Sequence, residues 1–456
     1  MQRVLGSGMM FSVRRHHASD AYYLLAFFAL VIGIGSLLLS LPFSWSAGTD
    51  QRDSIPYIDA LFTATSAVCV TGLITVDTAL FSRFGHIIIL LLIQIGGLGI
   101  ISFTSILLTI PGRRLPLRRL KTIRSFYVSG VEYEPKKIVR TIVIFTFGIE
   151  AVGAVLLAFF FKRAGAADPV FSGLFHSVSA FCNAGFSVYT TNLELFSKHS
   201  EILLSIAFLI VAGGLGFIVL QDLERLLLRK RKRLSYHSQV VLGMTGLLIL
   251  SCTFLFWYLE KDAAYAHLGS IDSMVNALFQ AITPRTAGFD AIIQDKLRQP
   301  SKVMTLFLMF IGGAPGSIAG GIKVTTAFVI AVVMVKRPDK NGDITILKRR
   351  LSAKTTNDAI VYFLKAGALL FVSALALSLI EGTKGAAFGD IVFESISAFG
   401  TVGLSLGLTT ELSTAGKLII IGTMFAGRVG LIAIAFPALR READDIAYTE
   451  GTVLLG

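Results

Sequence analysis

The sequence predicts an all-α polytopic membrane protein of four tandem repeats, set with pseudo-fourfold symmetry around one axis. Three observations predict it. The first is composition: 54% of the 456 residues are hydrophobic, only 16% are charged, and mean hydropathy is +0.72. A soluble chain of this length needs far more polar surface. The second is a short stretch that occurs four times: Cys69-Val-Thr-Gly72-Leu73, Cys182-Asn-Ala-Gly185-Phe186, Arg285-Thr-Ala-Gly288-Phe289 and Gly400-Thr-Val-Gly403-Leu404. The third is spacing, since successive glycines lie 113, 103 and 115 residues apart. One such pentapeptide carries no information; four in register imply four loops of one kind.

Eight apolar runs can each cross about 30 Å of hydrocarbon at about 20 residues apiece. They lie at 21–41, 84–110, 139–161, 202–228, 240–259, 303–335, 360–380 and 418–439. Between the members of each pair sits a shorter half-apolar segment, at 57–68, 169–181, 271–282 and 388–399. As helices these reach about 18 Å, half a membrane. Pro56, Asp168-Pro169 and Asp272-Ser273 mark helix entries. The repeats therefore fall at 21–110, 139–228, 240–335 and 360–439. Connections at 111–138, 229–239 and 336–359 join them, with an N-terminal segment 1–20 and a C-terminal tail 440–456. The first run is too long for a signal-peptide core and is read as a retained span.

The net charge of +13 invites a nucleic-acid reading, but the positive residues sit in turns between apolar runs, so no nucleic-acid partner is expected. The connections carry Arg113, Arg114, Arg118, Arg119, Lys121 and Arg124; Arg229 to Arg233; and Lys336, Arg337, Lys348, Arg349 and Arg350. Turns within the repeats are mixed or acidic. The basic turns and both termini should be cytoplasmic, so the half-helices enter from outside. The basic turns suit a membrane-lipid surface or a docked partner equally. Cys69, Cys182 and Cys252 give no disulfide framework.

Irregular backbone at membrane depth survives only when buried in protein or facing water. Four such loops must therefore share a wet axis, where carbonyls replace a cation's hydration shell. Glycine permits φ > 0, so successive carbonyls can turn to one side. Each half-helix adds the partial negative charge of its C-terminal end. The expected ion-binding residues are Val70, Thr71 and Gly72; Asn183, Ala184 and Gly185; Thr286, Ala287 and Gly288; and Thr401, Val402 and Gly403. The repeats thus read as helix–pore-helix–filter loop–helix around one pore.

Four pore loops in one polypeptide, each with its glycine, resemble the Trk/Ktr/HKT superfamily of potassium transporters. The chain start at the first helix pair is more similar to the Ktr membrane subunit than to the longer Trk form. The resemblance implies potassium uptake across the plasma membrane, a homodimer, and a cytosolic nucleotide-binding RCK ring as regulator. It implies no cofactor beyond the transported potassium, with sodium as an optional coupling or regulatory ion. In that superfamily a serine at the first filter glycine goes with sodium transport; here the residue is Gly72. A sodium or mixed-cation pore of the same architecture is the alternative.

The second helix of each repeat carries a small-residue cluster, at 96–99, 213–216, 312–316 and 426–430. The first two read as close helix packing. The third opens the stretch 312–321, with Gly312, Gly313, Pro315, Gly316, Gly320 and Gly321, which breaks the helix. It resembles the superfamily's intramembrane gating loop. It lacks the Gly-Lys-Ser/Thr of a phosphate-binding loop. Arg428, in the middle of the last span, needs protein or water around it; loop carbonyls are its expected acceptors, making it a latch. Lys323 reads as a second gating charge or a snorkelling lysine.

Glu150 reads as a coupling-ion site or, preferably, as the partner of a buried arginine. Asp59, His176, Asn276 and Glu394 are expected to brace the loops. Arg285 should turn from the axis and donate to loop carbonyls, and Asp290 should concentrate cations at the outer mouth. No cluster of nucleophile, base or metal ligands suggests an enzyme. A passive assembly or receptor subunit is the remaining class.

Overall fold

The computed structural model describes residues 16–46, 54–109, 135–339, 342–346 and 349–429. Residues 1–15, the basic cluster from Arg113 to Arg124, Lys348 and the tail 440–456 lie outside the described residues. Helices follow in the order α1 His16–Leu39, α2 Tyr57–Cys69, α3 Arg83–Thr109, α4 Pro135–Arg163, α5 Pro169–Phe181, α6 Ser200–Leu215 and α7 Phe217–Leu227. Then come α8 Tyr236–Glu260, α9 Ser270–Ile282, α10 Gln299–Phe310, α11 Val324–Val335, α12 Ala353–Glu381, α13 Phe388–Gly400, α14 Leu408–Glu411 and α15 Thr414–Val429. A small antiparallel hairpin, β1 Ile344–Ile346 with β2 Arg349–Leu351, lies between α11 and α12.

Three helical segments are long and apolar enough to cross a membrane unaided: Ile142–Arg163, Tyr236–Glu260 and Ala353–Lys384. Their apolar residues cover the outside as well as the inside. Val155, Phe159, Leu250, Phe254, Phe371 and Leu379 are all exposed, which suits a lipid surround.

The four half-helices α2, α5, α9 and α13 are each 13 residues, about 20 Å long. Beyond the first turn they are buried on nearly every side, unlike the long helices around them. Local signals start them. Asp168 caps α5 by accepting from Phe171 N at 3.2 Å, and Pro169 supplies a preset φ at the first helical position. Arg83 at the head of α3 donates to Asp168 Oδ2; with the cap, this hydrogen bond holds the Asp168 carboxyl below the usual carboxylate range. Fully buried aromatic rings (Phe161, Phe175, Phe181, Phe279, Phe289, Phe393 and Phe399) fill the space between half-helices and surrounding helices.

Two spans depart from straight helices. The 303–335 run is divided into α10 and α11 by the non-helical segment 311–323, as its glycines and proline predict. The 202–228 run is also divided: α6 and α7 meet at 104°. This corrects the reading of Gly213–Gly216 as a packing surface alone, and with it any confinement of helix breaking to the third repeat. The cause is local. Gly216 adopts φ 83°, ψ 148°, a region only glycine occupies readily.

Candidate ion filter and gate

Each half-helix ends in the same way. The first residue of the loop triplet takes a left-handed conformation: Val70 at φ 57°, Asn183 at 56°, Thr286 at 73° and Thr401 at 50°. The glycines follow at φ 93° (Gly72), 70° (Gly185), 69° (Gly288) and 101° (Gly403). Left-handed β-branched residues are genuine outliers, costing about 1–3 kcal/mol each, and persist only where their surroundings over-determine them. The constraint is visible in the backbone. The middle residue of every triplet donates its N–H to a carbonyl in the last turn of its own half-helix or just beyond. Thr71 N reaches Ser66 O at 2.8 Å, Ala184 N reaches Ser179 O at 2.7 Å, Ala287 N reaches Thr283 O at 3.0 Å and Val402 N reaches Ser397 O at 2.9 Å.

The four loops touch in a closed cycle. A Cβ added at Gly72 would come within 2.5 Å of Ala184 O, and one at Gly185 within 2.7 Å of Ala287 O. At Gly288 it would be driven into Val402 O, and at Gly403 into Thr71 O. Each filter glycine therefore lies against the middle carbonyl of the next loop in sequence, and the fourth returns to the first. Glycine is required at all four positions by its φ and by this approach.

The glycine clusters of the second helices seat the half-helices. Added Cβ atoms at Gly96, Gly213 and Gly427 would be driven into Val68 O, Phe181 O and Phe399 O. Those carbonyls belong to the residue four before each filter glycine. In the third repeat the corresponding position, Gly312, packs on Gly320 O within the broken segment instead.

That segment is closed at its neck. Gly312 N donates to Ile322 O at 2.8 Å and Val324 N to Gly313 O at 3.0 Å. Gly316 (φ 73°) and Gly321 (φ 62°) make its turns. It reaches the other three repeats. Ala314 N donates to Gly214 O at 2.9 Å, a carbonyl beside the α6–α7 break, and Phe217 N donates to Gly316 O at 3.3 Å. Pro315 O lies 3.0 Å from where a Gly216 Cβ would stand. Gly320 packs directly on the side chain of Thr401 in the fourth loop. On the side of the first repeat, Ile318 Cγ2 lies 3.4 Å from where a Gly97 Cβ would stand.

Arg428 donates through Nη1 to Ile318 O and through Nη2 to Gly96 O. The guanidinium thus joins α15, the broken segment and α3, with loop carbonyl and helix carbonyl as acceptors. Lys323 donates to Ala319 O at 2.5 Å. Its ammonium turns back into the loop, so the snorkelling reading does not hold.

The residues expected to brace the loops have specific partners. Asp59 pairs with Lys417 of α15 at 2.5 Å. His176 meets Ser172 O at 2.8 Å and Ser187 Oγ at 2.9 Å. Asn276 donates to Ser197 O at 2.7 Å. Glu394 accepts from Ser405 Oγ at 2.9 Å and from Thr409 Oγ1. Cys69 and Cys182 are fully buried behind their loops.

Three expectations need correction. The partners found for Glu150 among the described residues are neutral, not an arginine: Gln94 Nε2 at 3.3 Å and Cys182 Sγ at 3.7 Å. The buried guanidinium of Arg428 is taken up by main-chain carbonyls. Arg285 donates to a side-chain hydroxyl, Thr245 Oγ1 of α8 at 3.4 Å, and not to a loop carbonyl among the described hydrogen bonds. Asp290 turns Oδ1 inward, out of reach of solvent, and its main chain accepts from Leu193 N at 2.9 Å. It is not an open carboxylate at the mouth.

Sequence reading missed one set of residues, the hydroxyls Ser66, Ser179, Thr283 and Ser397, all fully buried. Each side chain hydrogen-bonds its own loop: Ser66 Oγ with Gly72 N at 3.0 Å, Ser397 Oγ with Gly403 N at 3.1 Å, Ser179 Oγ with Phe186 O at 2.8 Å and Thr283 Oγ1 with Phe289 O at 2.7 Å. Their offset was a usable signal: six residues before the glycine in three repeats and five in the third. Among the described residues no group of His, Cys, Asp and Glu is placed to hold a metal ion.

Four buried glycine loops behind half-helices, in a polytopic apolar chain, define a membrane cation-transport protein. The sequence profile of the TrkH family, described as cation transport protein, matches residues 18–445, and the chain belongs to that family. It is 37% identical over 436 residues to the Ktr system potassium uptake protein B of Bacillus subtilis, covering 94% of this chain and 95% of that one. It is 35% identical over 453 residues to the potassium/sodium uptake protein NtpJ of Enterococcus hirae, covering 97% and 98%. Among solved structures, the potassium transporter TrkH from Vibrio parahaemolyticus matches with a TM-score of 0.68 at 19% identity, over 92% of this chain and 85% of that one. The last likeness concerns the fold alone.

Proposed function

We propose that this chain carries potassium across the cell membrane through the axis enclosed by the four glycine loops. The four repeats, at 21–110, 139–228, 240–335 and 360–439, surround that axis with pseudo-fourfold symmetry. The observation that carries the reading is the closed cycle in which Gly72, Gly185, Gly288 and Gly403 each meet the middle carbonyl of the next loop. A cycle of four equivalent contacts supports a shared axis for the main-chain oxygens of Val70 to Gly72, Asn183 to Gly185, Thr286 to Gly288 and Thr401 to Gly403, with equivalent residues of the four loops level with one another. Such oxygens replace a cation's water without any acidic ring. The relatives named for potassium uptake, at up to 37% identity, support potassium as the ion.

The segment 312–321 is the gate and Arg428 its latch. Its contacts with repeats 1, 2 and 4 suit a plug drawn across the path, and a guanidinium there repels cations. Lys323 adds a second positive charge. Both termini and the basic connections face the cytoplasm, where they meet lipid headgroups and a separate regulatory ring of the RCK type. The naming of relatives as part of a Ktr system supports such a partner. Two copies form the working unit.

A sodium or mixed-cation pathway is the second reading, favoured by the likeness to a potassium/sodium uptake protein. Cation-replacement flux in liposomes decides between them. Potassium permeability well above sodium, lowered by Gly72→Ser, supports the first; equal permeabilities support the second. Potassium-dependent growth of a host without its own uptake systems tests the whole reading. Loss of that growth with Gly288→Ser is expected, and growth at the wild-type level would overturn it.

A further inference from the structure

The four buried hydroxyls behind the loops do not make the same bond. Ser66 and Ser397 accept from the N–H of their own filter glycines. Ser179 and Thr283 donate to the carbonyl of the residue after the glycine, Phe186 and Phe289. All four are fully buried, so a lost bond is not made good by bulk water.

The difference reaches the pathway through peptide geometry. In a trans peptide the N–H and the preceding C=O lie in one plane and point in opposite directions within it. Holding Gly72 N–H on Ser66 therefore turns Thr71 C=O away from the half-helix. Thr71 O is the atom that Gly403 packs against. Holding Gly403 N–H on Ser397 likewise turns Val402 C=O outward, and Val402 O is the atom that Gly288 packs against. In the third loop the glycine N–H has a main-chain acceptor instead, Thr283 O at 3.2 Å. The Thr283 hydroxyl is thereby released to the outer end of the loop.

Building on the filter reading above, we infer that Ser66 and Ser397 are specificity-determining residues, whereas Ser179 and Thr283 shape the outer end of the filter. Without its acceptor, the plane between Thr71 and Gly72, or between Val402 and Gly403, rotates. A carbonyl that rotates no longer holds the ring at one size, and a smaller cation is no longer disfavoured. Removing the hydroxyl at Ser179 or Thr283 frees a carbonyl beyond the glycine and leaves the ring itself in place.

The test measures potassium and sodium flux in liposomes for Ser66→Ala, Ser397→Ala, Ser179→Ala and Thr283→Val, with Ser66→Thr, Ser397→Thr and Gly72→Ser alongside. Ser66→Ala and Ser397→Ala should each lower the potassium-to-sodium permeability ratio about tenfold, equivalent to about 1.4 kcal/mol. The threonine variants keep an acceptor and should keep the ratio. Ser179→Ala and Thr283→Val should shift the potassium concentration at half-maximal flux and leave the ratio within about twofold. Should an alanine variant fail to fold, the cysteine variant, whose sulfur is a weaker acceptor, is measured in its place. Ratios unchanged in Ser66→Ala and Ser397→Ala, or lowered as much in Ser179→Ala and Thr283→Val, overturn the inference. Gly72→Ser separates the two levels. If it lowers the ratio while the serine variants do not, this inference alone falls; if it also leaves the ratio unchanged, the filter reading falls with it.

Discussion

The four loops and the four helices behind them follow opposite rules. The loops are near copies, with a left-handed first residue, a tethered middle amide, a glycine at positive φ and contact with the next loop. The second helices share only a glycine seat, and that in three repeats of the four. In the first repeat α3 is a single helix from Arg83 to Thr109, in the second α6 and α7 bend by 104°, in the third thirteen residues leave the helix, and α15 of the fourth bears a guanidinium. Uniform parts bind an ion symmetrically; dissimilar parts can be moved separately. On the reading proposed above, ion choice would lie with the loops, and opening with the asymmetric layer behind them, with repeat 2 included as a partner of the broken segment.

The sharpest way to break this comparison is to disturb one loop. Gly288→Ser places a Cβ in Val402 O at a left-handed φ. A strain of about 3 kcal/mol predicts a roughly hundredfold loss of potassium flux. Flux within a factor of two would mean the loops are not a closed ring. Next comes the latch. Arg428→Gln loses charge-assisted bonds to Ile318 O and Gly96 O, worth about 1.5–3 kcal/mol each. Flux should rise about tenfold at low potassium with the potassium-to-sodium ratio retained; an unchanged rate across all potassium concentrations would sink the latch. A smaller effect is expected of Gly216→Ala. The bend has φ 83°, and the new Cβ would stand 3.0 Å from Pro315 O. The strain, about 1–3 kcal/mol, should loosen the broken segment and raise flux several-fold without touching ion choice. A changed ratio would show that the bend belongs to the filter after all. The smallest transport effect is expected of Asp59→Asn. It removes one partner of a largely buried ion pair between α2 and α15. Thermal stability should fall, by about 3 kcal/mol if the remaining lysine stays buried, while the permeability ratio stays within twofold.

The loops were legible in the sequence because their signal is repetition. Gly72, Gly185, Gly288 and Gly403 carry the same neighbours at similar spacing, and half-length apolar segments precede them. The broken segment was legible because Pro315 and five glycines cannot continue a helix. The bend at Gly216 was not. Gly213-Gly-Leu-Gly216 and Gly96-Gly-Leu-Gly99 are the same four residues, yet the first bends and the second stays helical through Gly96–Gly99. The difference lies in the hydrogen-bond partners that the 312–321 segment offers to one and not to the other. Glu150 and Arg285 failed for a related reason: a buried charge announces that it has a partner, but not which one. Gln94 is 56 residues from Glu150, and Thr245 is 40 from Arg285. The hydroxyls at 66, 179, 283 and 397 lay in plain view, but serine and threonine are too common in such helices to be noticed without the loop geometry.

The ring of glycine contacts is built from one chain, and this sets how it can be altered. In an assembly of four identical subunits, any substitution in the loop changes every quarter of the ring at once. Here a substitution changes a single quarter. The ring can therefore be modified in steps, one oxygen-bearing peptide at a time, with three quarters left as references. Single, double and triple loop variants of this protein form a graded series in which the first alteration of ion choice can be assigned to one named peptide.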